Sequence, residues 1–242
     1  AMFQKMAWEA ISGIHGRGRL PFLAGGTGLY FRAVTRGLLF PMEGADWELR
    51  ERLKREAEEK GSPFLHSKLA SIDPVAASKL HPNDLRRIIR ALEVYELTGR
   101  PISELQRLHF EGGRRYDLLT IGLLREREEL YRRIDRRVDI MMEMGLVEET
   151  KRLLELGYEK RLTSAQALGY KEIVYYLKGF ATLSEAIRLI KRNTRRYAKR
   201  QITWFKKEPE VHWVNLDAYP NPKEALCEME GFIKGKFPYL VE

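Results

Sequence analysis

Nine lysines and arginines fall between Ala181 and Lys207, against one acid, Glu185. The whole 242-residue chain has a formal net charge of +9, so everything outside this segment is nearly neutral. Charge concentrated in that way is the footprint of a localised polyanion site. Ile187, Ile190, Thr194, Tyr197, Ala198 and Ile202 recur at i, i+3, i+4 spacing and predict an apolar seat along one side of a helix. Arg188, Lys191, Arg192, Arg195, Arg196, Lys199 and Arg200 fill its other positions. A solvated helix face normally mixes signs so that Glu–Lys pairs support it. Residues 186–207 contain no acid, so mutual repulsion costs stability unless an anion offsets it. Interleaved aromatics (Tyr197, Trp204, Phe205) suit RNA, whose unstacked bases lie on rings and guanidinium planes.

Other candidate groups are more ambiguous. "GGTG" (25–28) sits between an apolar run and a helical pattern. Glycines there let backbone N–H groups approach an anion at a helix N-terminus, yet an ordinary βα turn reads the same way. It is no Walker A loop, because G-x-x-x-x-G-K-[ST] is nowhere in the chain. "RRIIR" (86–90) puts Arg86 and Arg90 one turn apart beside Arg87, which fits phosphate contacts and plain solvation equally. "REELYRRIDRRVD" (127–139) alternates acid and base, so an ion-pair ladder such as Glu129–Arg133 is the default reading. The five histidines show no metal-ligand spacing. Cys227, the single cysteine, excludes an internal disulfide and a cysteine-based zinc cluster, and suggests a reducing, cytoplasmic setting. No apolar run is long enough for a membrane span.

These residues need a scaffold. "LPFLA" (20–24), "YDLLTIGLL" (116–124) and "VHWVNL" (211–216) are predicted strands, the first two followed by helical patterns. Residues 44–108 read as helices only. Asp46 caps one running to Lys60, Asp73-Pro74 opens another, and Asn83 or Asp84 caps "LRRIIRALEVYEL", which Gly99 ends. A long helix is predicted from Glu126 to Leu156 and a shorter one over about 168–178. A capping box, Thr182-x-x-Glu185, opens the basic helix, and Pro222 starts the last. The fold class expected is α/β: a core of residues 1–43 and 109–242 with a parallel sheet, and an all-helical insertion domain at 44–108. "AMFQKMAWEAI" resembles the middle of an amphipathic helix, with Phe3, Met6, Ala7, Ala10, Ile11 and Ile14 on one face, so an upstream segment is expected.

Six stretches in order resemble the tRNA isopentenyltransferase family (bacterial tRNA dimethylallyltransferases): "LPFLAGGTGLYFRA", "DPVAASKLHPNDLRRIIRALEVYELTGRPISEL", "YDLLTIGL", "RIDRRVDIMMEMGLVEE", "QALGYKEIVYYL" and "IKRNTRRYAKRQITWF". The resemblance implies a P-loop-NTPase-like core and transfer of a dimethylallyl group from dimethylallyl diphosphate, assisted by Mg²⁺. The acceptor implied is the exocyclic amine of the adenosine 3′ of the anticodon. The family's P-loop and its Asp-Ser motif, whose aspartate is the implied general base, have no counterpart in residues 1–242. Carried over by matching stretch, Thr27 lies near the target nucleotide and Arg137 helps hold the diphosphate. Arg50, Arg86, Arg87, Arg90, Gln166, Gly169, Tyr170, Lys171, Lys199, Arg200, Gln201, Thr203, Trp204 and Lys206 contact tRNA. The partner implied is a tRNA anticodon stem-loop held by a monomer, with no membrane. Two other classes fit parts of the pattern: a tRNA-binding fragment without catalysis, and an adenine-nucleotide prenyltransferase.

Overall fold

The computed structural model describes residues 1–38, 45–111, 115–157 and 167–238. Within them, short polar side chains set where many helices begin. The chain divides into two units, Ala1–Leu118 and Leu119–Glu242.

Every regular element among the described residues of the first unit is a helix. Helix α1 (Met2–His15) packs on α2 (Gly28–Thr35). Gln4 and Trp8 donate to the Ala33, Leu38 and Val34 carbonyls at 2.6, 3.0 and 3.0 Å. Carbonyls at a helix end have no partner within the helix, so α1 turns its donors toward them. That rotates the buried side of α1 away from the predicted one: Gln4 is buried, and Met6 is 61% exposed. Residues 20–24, expected as a strand, have no regular structure. A strand exists only through a ladder partner, and this run pairs with none among the described residues; Phe22 and Leu23 are exposed.

Asp46 accepts from the Leu49 amide at 2.9 Å and opens α3 (Trp47–Lys60), which ends at Gly61. Then come α4 (Ser62–Ile72), α5 (Pro74–Ala77), α6 (Leu85–Thr98) and α7 (Ile102–Glu111). Asp73 is buried because it serves two helices, accepting from Ala76 N at 2.8 Å and Ser103 N at 2.9 Å. Leu49, Leu53, Leu65, Leu69, Ile88 and Leu92 form the core they enclose. Asp84 caps α6, and Gly99 ends it with φ +69°, which glycine adopts without steric cost.

In the second unit β1 (Thr120–Leu124) pairs in parallel with β2 (Val211–Asn215), Gly122 opposite Trp213. The long helix expected over 126–156 is two, α8 (Arg127–Glu143) and α9 (Leu146–Glu155). Gly145, at φ +90°, breaks it, a conformation unfavourable to other residues. Next are α10 (Tyr170–Leu177), α11 (Leu183–Phe205) and, beyond β2, α12 (Pro222–Lys236). Val138, Leu146, Ile173, Ala186 and Ile190 form the core that ties α8 through α11 together. The α/β class and parallel sheet are as expected.

Candidate nucleic-acid interface

The capping box read from Thr182 and Glu185 opens α11. Thr182 Oγ1 accepts from Glu185 N, and the Glu185 carboxylate accepts from Thr182 N at 2.8 Å. The bond from Thr182 N and a second from Thr182 Oγ1 at 2.9 Å hold the Glu185 carboxyl below the ordinary glutamate value. Ala186 and Ile190 are the buried seat. Tyr197, expected in that seat, is 37% exposed, about two turns beyond Ile190.

The cations of α11 divide into two sets. Lys191 pairs with Asp139 at 2.6 Å and Arg195 with Asp135 at 2.7 Å, both acids on α8. Beyond Glu185 the helix has no acid of its own, and it finds acids across the packing seam instead. Arg192, Arg196 and Lys199 are exposed and have no ion-pair partner among the described residues. Further along, Lys199, Arg200, Thr203, Trp204 and Lys207 line one surface hollow. Four of these five were singled out in the sequence; Lys207 was not, although it lies one turn past Thr203. Arg200 lies 5.8 Å from the Tyr197 ring centroid, and Trp204 packs edge-on against Phe205. Gln201 is half-buried and Lys206 exposed.

Gly169 precedes α10 at φ +99°, and its amide donates to Glu172 at 2.9 Å. Buried Glu172 also accepts from Asn193 of α11 at 2.8 Å. The "QALGYK" segment is thereby fixed to the basic helix. Lys171 is exposed. Tyr170 donates to Glu149 at 3.0 Å, which with partial burial raises its phenol above the ordinary value. Gln166 lies outside the described residues.

On α6, Arg86 and Arg87 are exposed, and Arg87 lies 3.4 Å from Asp84. Arg90 and Arg50 behave otherwise: both are drawn to Glu93. Its carboxylate is wholly buried and accepts from Arg50 Nε and Nη2 at 2.9 Å each, Arg90 Nη1 at 2.6 Å and Asp46 N at 3.0 Å. Burial alone would raise this carboxyl; the bonds from Arg50, Arg90 and the Asp46 amide outweigh it and hold the carboxyl below its ordinary value. The sequence reading missed Glu93, and its signal was an acid within the run Ile89–Leu92–Val94 that α6 buries.

Thr27, in the first unit, is the exposed N-cap residue of α2, and its side chain makes no capping bond. In the second unit Arg137 is exposed on α8, with no ion-pair partner among the described residues. The described residues contain no group of three or more His, Cys, Asp or Glu side chains able to hold a metal, and no described helix is long and apolar enough to cross a membrane.

A parallel α/β fold carrying an exposed, aromatic-edged cationic helix defines a polyanion-handling protein of the α/β class. More narrowly, the chain belongs to the IPP transferase family, whose model matches residues 1–208. It is 46% identical over 233 residues to a tRNA dimethylallyltransferase of Acetivibrio thermocellus, covering 96% of this chain and 74% of that protein. A tRNA dimethylallyltransferase of Carboxydothermus hydrogenoformans is 54% identical over 226 residues, covering 93% and 71%. Among solved structures, the Bacillus halodurans tRNA isopentenylpyrophosphate transferase superposes with a TM-score of 0.66 at 45% identity, covering 98% of this chain and 73% of that one. A eukaryotic dimethylallyltransferase described as acting on tRNA gives a TM-score of 0.72 at 28% identity, covering 96% and 61%.

Proposed function

We propose that the chain is a tRNA dimethylallyltransferase that prenylates the exocyclic amine of the adenosine 3′ of the anticodon. The observation that carries this reading is the hollow of Lys199, Arg200, Thr203, Trp204 and Lys207 on α11, within the stretch matched by the family. Phosphates are recognised by its cations, and an unstacked base finds ring surface on Trp204. Extruding the adenosine costs a few kcal/mol, and stacking returns about 1–3 kcal/mol per base.

In the transfer, the amine nitrogen bonds to the allylic carbon as that carbon's bond to oxygen breaks. The electron pair leaves with the diphosphate, and the amine proton passes to the general base implied by the family resemblance. Arg137 meets the charge growing on the leaving group, for which its exposed guanidinium, without an ion-pair partner among the described residues, is suited. Mg²⁺ belongs to the reading only as an assisting ion: the described residues offer no carboxylate cluster for it, so the roles above rest on the chain's own cations. Thr27, Arg50, Arg86, Arg87, Arg90, Gln166, Gly169, Tyr170, Lys171, Gln201 and Lys206 complete the proposed RNA contacts, with residues 44–108 as the insertion domain.

The test pairs filter retention of an anticodon stem-loop RNA with transfer from labelled dimethylallyl diphosphate, AMP being the competing acceptor. RNA retention and label in the RNA are expected. Label in AMP with no RNA retained overturns the reading, and RNA retained without label overturns its catalytic half.

A further inference from the structure

Asn193 sits in the interior of the 23-residue α11, where asparagine favours helix less than alanine, lysine or arginine would. It is half-buried, one turn past Ile190, the last buried residue of that helix. Its Nδ2 donates at 2.8 Å to Glu172 Oε1 on α10. The other oxygen of that carboxylate, Oε2, accepts from the Gly169 amide at 2.9 Å. One side chain, on a residue only 4% exposed, thus joins the turn before α10 to the middle of the basic helix.

Gly169 needs that acceptor. At φ +99° it occupies a region that glycine enters without strain, and it has no side chain with which to cap α10. Gly169 is buried, and a buried N–H without a partner is costly. Glu172, at the third position of the helix, reaches back to it as one half of a capping box. Glu185 does the same work for Thr182 at an exposed site. Capping alone therefore calls neither for burial of the Glu172 carboxylate nor for an asparagine opposite it.

What the link adds is register. Ile173, Ala186 and Ile190 already pack α10 against α11, but apolar contact is non-directional and resists sliding and rotation weakly. A directional bond from Asn193 selects one placement of the turn against the helix. Groups proposed above to contact RNA stand on both sides of the link. Tyr170 and Lys171 directly follow Gly169, and exposed Lys199 and Arg200 lie about two turns beyond Asn193. Lys171 Nζ is also 3.6 Å from Glu172 Oε1. Two segments already held in one arrangement do not lose ordering entropy when RNA binds.

We propose that Glu172 and Asn193 are positioning residues that hold the 169–171 turn and the cationic half of α11 as one preorganised RNA-reading unit. Neither side chain touches RNA. The inference rests on the reading of the chain as an RNA-modifying enzyme.

The bond can be broken and then remade with the net charge kept. Asn193→Asp sets two carboxylates against each other. Adding Glu172→Gln restores the pairing, because the introduced amide donates to the new carboxylate while its oxygen accepts from Gly169 N. Dissociation constants of stem-loop RNA are measured for the full chain by filter retention across a salt series, with urea unfolding of every variant. Asn193→Ala is expected to weaken binding about tenfold, the entropy of fixing about one residue's backbone. Its slope of log affinity against log salt is expected to stay unchanged, because no cation is lost. Lys199→Ala, by contrast, removes a proposed phosphate contact and lowers the slope by about 0.7–0.9. Asn193→Asp is expected to weaken binding at least as much as Asn193→Ala. The double variant should return to within about threefold of the unaltered chain.

A purely structural bond would lower the urea midpoint and leave the dissociation constant of the folded fraction unchanged. That result for Asn193→Ala overturns the positioning role. A slope that falls with Asn193→Ala overturns it too, since contacts would then be lost rather than made at an entropic cost. If the double variant folds and binds no better than Asn193→Asp, the bond is not what matters and the proposal falls. If the double variant does not fold, Asn193→Ala decides alone; if no variant at 193 folds, the bond is structural and the proposal falls. In each case RNA binding by the unaltered chain leaves the proposed function standing. Absence of RNA retention by the unaltered chain overturns both.

Discussion

Gly122 faces Trp213 across the ladder, and a Cβ built on it would lie 2.5 Å from two carbons of that ring and 2.8 Å from Val211 Cγ1. Gly122→Ala is therefore expected to destabilise the second unit by about 1–3 kcal/mol through overpacking, measured as a lower urea midpoint. Trp213→Ala in the same chain should recover part of that loss, since the two changes share one contact. Nothing in "YDLLTIGLL" announces this constraint, because the ring that imposes it lies 91 residues away in a strand whose register no local pattern records. Glu93 carries a second residue-level expectation. Its carboxyl is held below the ordinary value of 4.5, so the unfolded chain takes up the proton first. Its contribution is complete above that value and is lost as pH falls through the lower, folded value. Stability of the helical unit should then fall with acid more steeply in the unaltered chain than in Glu93→Gln. Equal acid limbs in a urea–pH series would remove Glu93 from that role.

At the scale of elements, what was legible depended on whether the determining partner was local. The caps Asp46, Asp73, Asp84 and Thr182 bond amides three residues on, and each helix start followed from the sequence. The run 20–24 did not become a strand, because its apolar composition says nothing of a ladder partner. The basic helix lies between these cases: its existence and cap were readable, but the division of its cations was not. Lys191 and Arg195 are taken by Asp139 and Asp135, 52 and 60 residues away. That division predicts separable phenotypes. Arg195→Met strips Asp135 of its partner and should cost about 1 kcal/mol of stability, read by urea unfolding, with a minor effect on RNA retention. Arg192→Glu with Arg196→Glu should leave the unfolding midpoint nearly unchanged and weaken RNA retention strongly. If instead Arg195→Met weakens RNA retention as much as the pair does, the two sets of cations are not distinct in function.

For the whole molecule the question is whether its net charge acts as a diffuse field or through counted contacts. Two of the cations on α11 are spent inside the fold. Arg188 stands near Glu185, which offsets its charge, so Arg192, Arg196, Lys199, Arg200, Lys206 and Lys207 remain for phosphates. Each phosphate neutralised on a nucleic acid releases counterions and adds about 0.7–0.9 to the slope of log affinity against log salt. If those six side chains each meet one phosphate, stem-loop RNA binding should show a slope of about −4 to −5, and AMP, with its single phosphate, a slope no steeper than about −1. A diffuse field would instead let any change of equal charge act alike, wherever it lies on the surface. Replacing Lys5 and Arg17 of α1 and its adjoining turn by Glu alters net charge as much as replacing Arg192 and Arg196. Only the second pair should lower the RNA slope, by about 1.5. Equal losses from both pairs, measured by filter retention from low to moderate salt, would mean that the basic helix attracts RNA without contacting it.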